Sequence, residues 1–174
     1  MEQMKELGEI TSPDCRSTVF VKLDTRTGTA EPMIVQDYYR HVADIRLNEE
    51  VPEEVRSYME AVKSLFAYGY FYYPFFTLAA LLGTTALEMA LRAKLPVARD
   101  DRRGMGALLK QATQQNLLGN AEATLAASLK HLRNTFAHPT GHWIMAPGQA
   151  SGVLIAAGEM INRLWPPKVQ KEQQ

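Results

Sequence analysis

Residues 65–87 read LFAYGYFYYPFFTLAALLGTTAL, a stretch without one charged side chain, and its reading decides the fold. A run of about 20 apolar residues is long enough to cross a bilayer. Three features oppose that reading. Gly69, Pro74 and Gly83 interrupt the run, and Tyr68, Tyr70, Tyr72 and Tyr73 crowd its first half, whereas membrane tyrosines gather at both interfaces. Pro74 also ends a helix or kinks it sharply, because it lacks the amide proton and its ring clashes with the preceding turn. The stretch is therefore expected to form two buried helices meeting at Pro74, with no membrane span.

The pattern continues on both sides. Upstream, Val55, Met59, Val62, Phe66, Gly69 and Tyr73 recur at spacings of three and four, one apolar helix face. This helix opens at Pro52, with Glu53 and Glu54 at its positive end. Downstream, Phe75, Leu78, Ala79, Leu82, Ala86, Met89 and Ala90 repeat the spacing until Pro96. A shorter third helix carries Met105, Leu108, Leu109 and Ala112. Gly119-Asn120 is a stop followed by an N-cap, and opens a fourth with Leu125, Leu129, Leu132 and Phe136 in one stripe. A fifth places Val153, Ala157, Met160, Ile161 and Leu164 on one face. The expectation is an all-α fold, an antiparallel bundle of about five helices over residues 52–165.

Residues 1–51 lack the helical period. Val19, Val21 and Leu23 alternate with Phe20 and Lys22, a turn signal follows at Thr25-Arg26-Thr27-Gly28, and Met33-Ile34-Val35 follows Pro32. That pattern predicts an extended or β-hairpin arm laid along the bundle. Residues 166–174 are polar and are expected to be a disordered tail.

The chain has 174 residues and 19.5 kDa, one domain of ordinary size, and 46% apolar residues suffice for a core. Nineteen basic residues balance nineteen acidic ones, which excludes a uniformly basic nucleic-acid binder. The charge is nevertheless divided. Residues 1–60 hold seven basic and thirteen acidic side chains, a net of −6, and the remainder holds twelve against six, a net of +6. A polyanion should meet the C-terminal two-thirds. The single Cys15 excludes an internal disulfide and a thiolate cluster, and suits a reducing compartment. Met1 to Ile10 is acidic, without the basic and apolar regions of a signal peptide. A cytoplasmic location is expected.

Few residues suggest chemistry. The sequence has no Gly-rich phosphate loop, HExxH or nucleophile elbow. His138 and His142 are four apart, but Pro139 and Gly141 break any helix that would align them, and no carboxylate or thiol completes a ligand set. No metal site and no cofactor are expected. The informative segment is His131-Leu132-Arg133-Asn134-Thr135-Phe136-Ala137-His138-Pro139. With Leu125, Leu129, Leu132 and Phe136 toward the core, Asn134 and His138 fall roughly opposite and Arg133 on the boundary. An arginine there calls for an anion, a carboxylate or a partner surface to satisfy its five donors. His138 precedes proline, which makes it a helix-end residue able to lean back toward Asn134 and Arg133. The plain alternative is a histidine stabilised by the helix dipole and an arginine on a bundle surface.

Leu132-Arg133-Asn134-Thr135-Phe136-Ala137-His138 resembles the signature of the HEPN superfamily: an arginine, a polar residue, and a histidine after four to six intervening residues. Four intervene here, and Asn134 takes the polar place. The helix order matches too, with two long helices, a shorter one, a fourth closed by the motif and one more after it. The resemblance covers roughly Pro52 to Trp165 and leaves the first fifty residues unassigned.

The resemblance implies a helical homodimer in which two copies of the motif meet across a two-fold axis. Many such proteins are metal-independent endoribonucleases of toxin–antitoxin, phage-defence and RNA-processing systems; others are non-catalytic dimeric modules that bind a protein or nucleotide partner. For the first class, His138 would transfer protons, Arg133 would stabilise charge on the phosphoryl oxygens, and Asn134 would orient His138 or bind substrate. RNA is then the substrate class, and an antitoxin or a nucleotidyltransferase a possible partner. An intact Arg133-Asn134…His138 set favours the enzyme. Zero net charge and the acidic N-terminus favour the module.

Three further features stay open. Glu88 interrupts an apolar face and can either orient a site residue or pair with Arg92 four positions on. Residues 92–110 carry six basic side chains against Asp100 and Asp101, a phosphate track or a solvated loop. The aromatic cluster from Tyr68 to Phe76 suits a core or a dimer interface better than a base-stacking platform, and the apolar surface of the first two helices suggests a two-fold dimer.

Overall fold

Pro74 starts a helix and kinks none. In the computed structural model, which describes residues 3–98, 102–137 and 144–167, helix α2 (Glu53–Tyr68) stops before the aromatic corner and α3 (Pro74–Lys94) opens on the proline itself. There the missing N–H is one that the first turn leaves unbonded anyway. Upstream of them a single 3-10 turn spans Leu7–Glu9, β1 (Val21–Asp24) pairs with β2 (Thr29–Pro32), and α1 (Val35–Ala43) follows. Downstream come α4 (Met105–Gln114), α5 (Asn120–Ala137) and α6 (Pro147–Leu164). The described chain is mostly helical, with six α-helices and one small antiparallel hairpin.

Helix α3 is the centre of the bundle and packs on α2, α4, α5 and α6. Among the described residues it is the one helix long and apolar enough to cross a membrane, and half of its apolar window is buried in the protein. Small residues let its neighbours approach closely. A Cβ on Gly83 would stand 3.2 Å from Leu154 of α6. The stripes expected from spacing are buried on three helices: Val55, Met59, Val62 and Phe66 on α2, Leu108, Leu109 and Ala112 on α4, and Val153, Ala157, Met160, Ile161 and Leu164 on α6. On α3 the expected face is only partly right: Ala79, Ala86 and Ala90 are buried, but Leu78 is exposed and Phe75, Leu82 and Met89 are half-buried, while Phe76, Leu87 and Leu91 fill the core instead. A helix apolar on most sides gives spacing several faces to choose from. On α5, Leu129 is buried and Leu132 packs partly buried against the core, while the side chains of Leu125 and Phe136 lie outside the described set.

The hairpin forms as expected, with Val21 opposite Pro32 and Asp24 opposite Thr29. Gly28 takes φ of 71°, where a side chain would be strained, and its N–H donates to the Asp24 carbonyl at 2.7 Å. The arm differs from expectation after Pro32, where Val35–Ala43 is helical. Tyr38 and Val42 bury one face of α1, and Asp37 caps it, accepting the Ile34 N–H at 3.0 Å. The Asp37 carboxyl is held below the usual range, chiefly by that backbone donor. Lys22 of β1 reaches Asp37 at 3.2 Å and ties hairpin to helix.

The arm also covers the aromatic corner between α2 and α3. Tyr38 packs against Tyr70 and Phe76 with ring centres 5.5 and 5.4 Å apart, and Phe20 stacks on Tyr73. Asp14 locks this contact. Its N–H donates to the Tyr70 carbonyl, and its carboxylate accepts the buried Tyr73 N–H and the Arg16 guanidinium. Much of the apolar surface that suggested a dimer is thus covered by the chain's own first fifty residues. The expected tail, apart from Pro166 and Pro167, lies outside the described residues.

Candidate functional site

Helix α5 carries Arg133 and Asn134 just after Leu129 and Leu132, which pack on the core. Leu129 and Leu132 face inward, so Asn134, five positions after Leu129, is exposed. Arg133 is held at the boundary. Its guanidinium stands 3.7 Å from Glu88 Oε2 of α3, with about a third of the side chain open to solvent. The other oxygen, Glu88 Oε1, accepts from Arg92 Nη2 at 3.0 Å and Nε at 3.3 Å. Glu88 is well shielded, at 15% exposure. The expected pair with Arg92 one turn on is therefore present, and Glu88 also lies beside Arg133.

The chain of contacts continues. Arg92 also donates to the Arg103 carbonyl in the segment before α4, and Arg103 Nη1 donates to Gln111 Oε1 at 2.8 Å. Lys130, three positions before Arg133, lies over the first turn of α4, where a Cβ on Gly106 would come within 2.6 Å of its Cε. Arg92 and Arg133 thus share the Glu88 carboxylate, Arg103 is linked to Arg92 through its carbonyl, and Lys130 stands over α4 one turn before Arg133.

No family profile matches the sequence, and neither does any curated protein or any solved structure.

His138 lies outside the described residues, as do His142 and Trp143. The structure therefore brings Arg133 and Asn134 to one exposed end of α5 and leaves the place of His138 open. Among the described residues no group of three His, Cys, Asp or Glu could hold a metal ion. The Thr135 hydroxyl is turned back to the His131 carbonyl at 3.0 Å, within its own helix. A groove of about 570 Å³ lies elsewhere, between arm and corner, lined by Met4, Ile10, Tyr68, Phe71 and Phe75 with Lys5 as its charged group. Its apolar walls do not suit a phosphodiester. The open, cationic surface around Arg133 does. Lys130 is the member of this surface that sequence reasoning missed. Its i, i+3 spacing to Arg133 was the available signal.

Proposed function

We propose that the chain is a HEPN-type, metal-independent endoribonuclease that works in the cytoplasm as a homodimer. The observation that carries this reading is the setting of Arg133: its guanidinium stands 3.7 Å from a shielded carboxylate, and about a third of the side chain is open to solvent. A partly exposed guanidinium steered by a nearby carboxylate suits charge stabilisation on a phosphoryl oxygen. In the reaction, a base removes the proton of a ribose 2′-hydroxyl, the 2′-oxygen bonds to phosphorus, and the 5′-oxygen leaves with a proton from an acid. His138 supplies proton transfer, Arg133 meets the phosphoryl oxygens, and Asn134 orients the histidine or the substrate. Two copies across a two-fold axis provide both a base and an acid, which one His138 cannot do in the same step. A toxin or defence role, with an antitoxin or nucleotidyltransferase as partner, goes with this reading.

The test is cleavage of single-stranded RNA by purified protein in excess EDTA, with analysis of the ends. A 2′,3′-cyclic phosphate and a 5′-hydroxyl are expected. The second reading, a non-catalytic dimeric module binding a protein or nucleotide, is favoured by the same ion pair, since an arginine already matched by Glu88 can serve structure alone. An intact dimer without cleavage of any RNA tried would select it.

A further inference from the structure

We propose that Lys130, with Arg103 and Lys110, forms a strip that holds the phosphodiester backbone of single-stranded RNA beside Arg133. The proposal rests on the reading of Arg133 as a phosphate ligand and extends it to residues outside the motif. Lys130 is exposed, stands one turn before Arg133 on α5, and lies across the first turn of α4. Lys110 is exposed one turn beyond Gly106 on α4. Arg103 is held by contacts that include its carbonyl to Arg92 and its guanidinium to Gln111, so it borders the strip already ordered. Arg92 and Arg133 share the Glu88 carboxylate between them. The sequence from 92 to 110 stays at +4 even with Asp100 and Asp101 counted. A polyanion with regularly spaced charges matches such a row better than one compact anion would.

The absence of a side chain at Gly106 gives this strip its shape. Lys130 occupies the space a Cβ would take, and the atoms in the way are Cδ, Cε and Nζ, the movable end of the lysine. Gly106→Ala would therefore displace the Lys130 ammonium while keeping its charge. In a helix the alanine is also the better residue, so weaker RNA binding could not be blamed on unfolding.

The experiment measures binding of a fluorescent single-stranded RNA to the full chain over a salt series, with cleavage followed in parallel. Lys130→Gln should weaken binding about fivefold and lower the salt slope by about 0.7, the value for one phosphate contact on a single strand. Lys110→Gln should act in the same direction. Gly106→Ala should weaken binding about two- to threefold with an unchanged or raised melting temperature. Arg26→Gln, at the hairpin tip, removes one positive charge from the arm and should change nothing. Wild-type protein that binds no RNA, or Lys130 and Lys110 variants that keep the full salt slope, would overturn the strip. Binding that depends on Lys130 without cleavage would keep the strip and reject the nuclease.

Discussion

Glu88 divides one carboxylate between two arginines: Oε1 accepts Arg92, and Oε2 faces Arg133 at 3.7 Å. The pair is partly exposed, so its contribution to stability is small, about 1 kcal/mol or less. Its value lies in position. Without the carboxylate, Arg92 and Arg133 would repel each other and Arg133 would lose the charge that draws it toward α3.

Glu88→Gln should therefore separate two quantities. On the nuclease reading, kcat falls about tenfold or more, because misplacing a charge-stabilising group loses transition-state contacts. RNA affinity holds or rises slightly, since a negative charge beside the phosphate has gone. A purely structural role would move the melting temperature and leave kcat in place.

Asp14 is the lock between arm and bundle. Burial acts to raise its carboxyl, but the Arg16 side chain, the Tyr73 N–H and the Arg16 N–H outweigh it and hold it at about 2. A carboxyl lowered on folding stabilises the protein above its unfolded value near 3.8, and that contribution is lost as pH falls through about 2. Asp14→Asn should cost about 1–3 kcal/mol at neutral pH and flatten the loss of stability in acid. An unchanged acid limb in thermal melts would refute this.

Gly69 should tolerate no side chain. A Cβ there would sit 2.6 Å from the ring of Phe76, which is fully buried against Phe66 and Tyr38. Unlike the lysine over Gly106, this ring has nowhere to move. Gly69→Ala is expected to lose about 1–3 kcal/mol, the scale of overpacking a filled core. A wild-type denaturation midpoint would show that the corner is looser than this packing indicates.

These residues show what the sequence could and could not tell. Helices α2 and α6 were readable with their buried faces because Val55, Met59, Val62 and Phe66, for example, repeat at a period that only a buried helix face explains. Helix α3 was readable as a helix but not in its orientation, because apolar residues surround it and the expected face includes the exposed Leu78. Helix α1 was hidden: it has nine residues, follows the extended Pro32-Met33-Ile34, and shows few apolar repeats. Its stability comes from Asp37 at its cap and Tyr38 in the distant aromatic cluster. The motif residues Arg133 and Asn134 were legible as an off-core pair. The carboxylate that mounts Arg133 lies 45 positions away on another helix, and the anchor of Tyr73 lies 59 away. No local period encodes such contacts.

Assembly is a separate question, because the arm already covers the aromatic corner. On the nuclease reading a composite site needs a second copy of the motif end, so light scattering at micromolar concentration should give twice 19.5 kDa. The arm should not carry that dimer. Asp14→Asn should loosen the arm and leave the dimer mass unchanged. A monomeric wild type would remove the argument for a paired acid and base.

The last prediction concerns the motif itself. Attack by a 2′-oxygen needs a proton acceptor and charge stabilisation but no water nucleophile, so cleavage should persist in EDTA and leave cyclic phosphate ends. Arg133→Ala and His138→Ala should each lower the rate at least about a hundredfold, the scale for an electrostatic or acid–base group. Neither should unfold the protein. Arg133 is partly exposed with an ion pair to Glu88, and Arg92 remains to neutralise that carboxylate when Arg133 is gone. Arg133→Lys should recover little, because an ammonium cannot face Glu88 and a phosphoryl oxygen with the same planar fork. Asn134→Ala should cost less than either if Asn134 only orients the histidine. Full activity in both main variants would place the reaction elsewhere or in a contaminant.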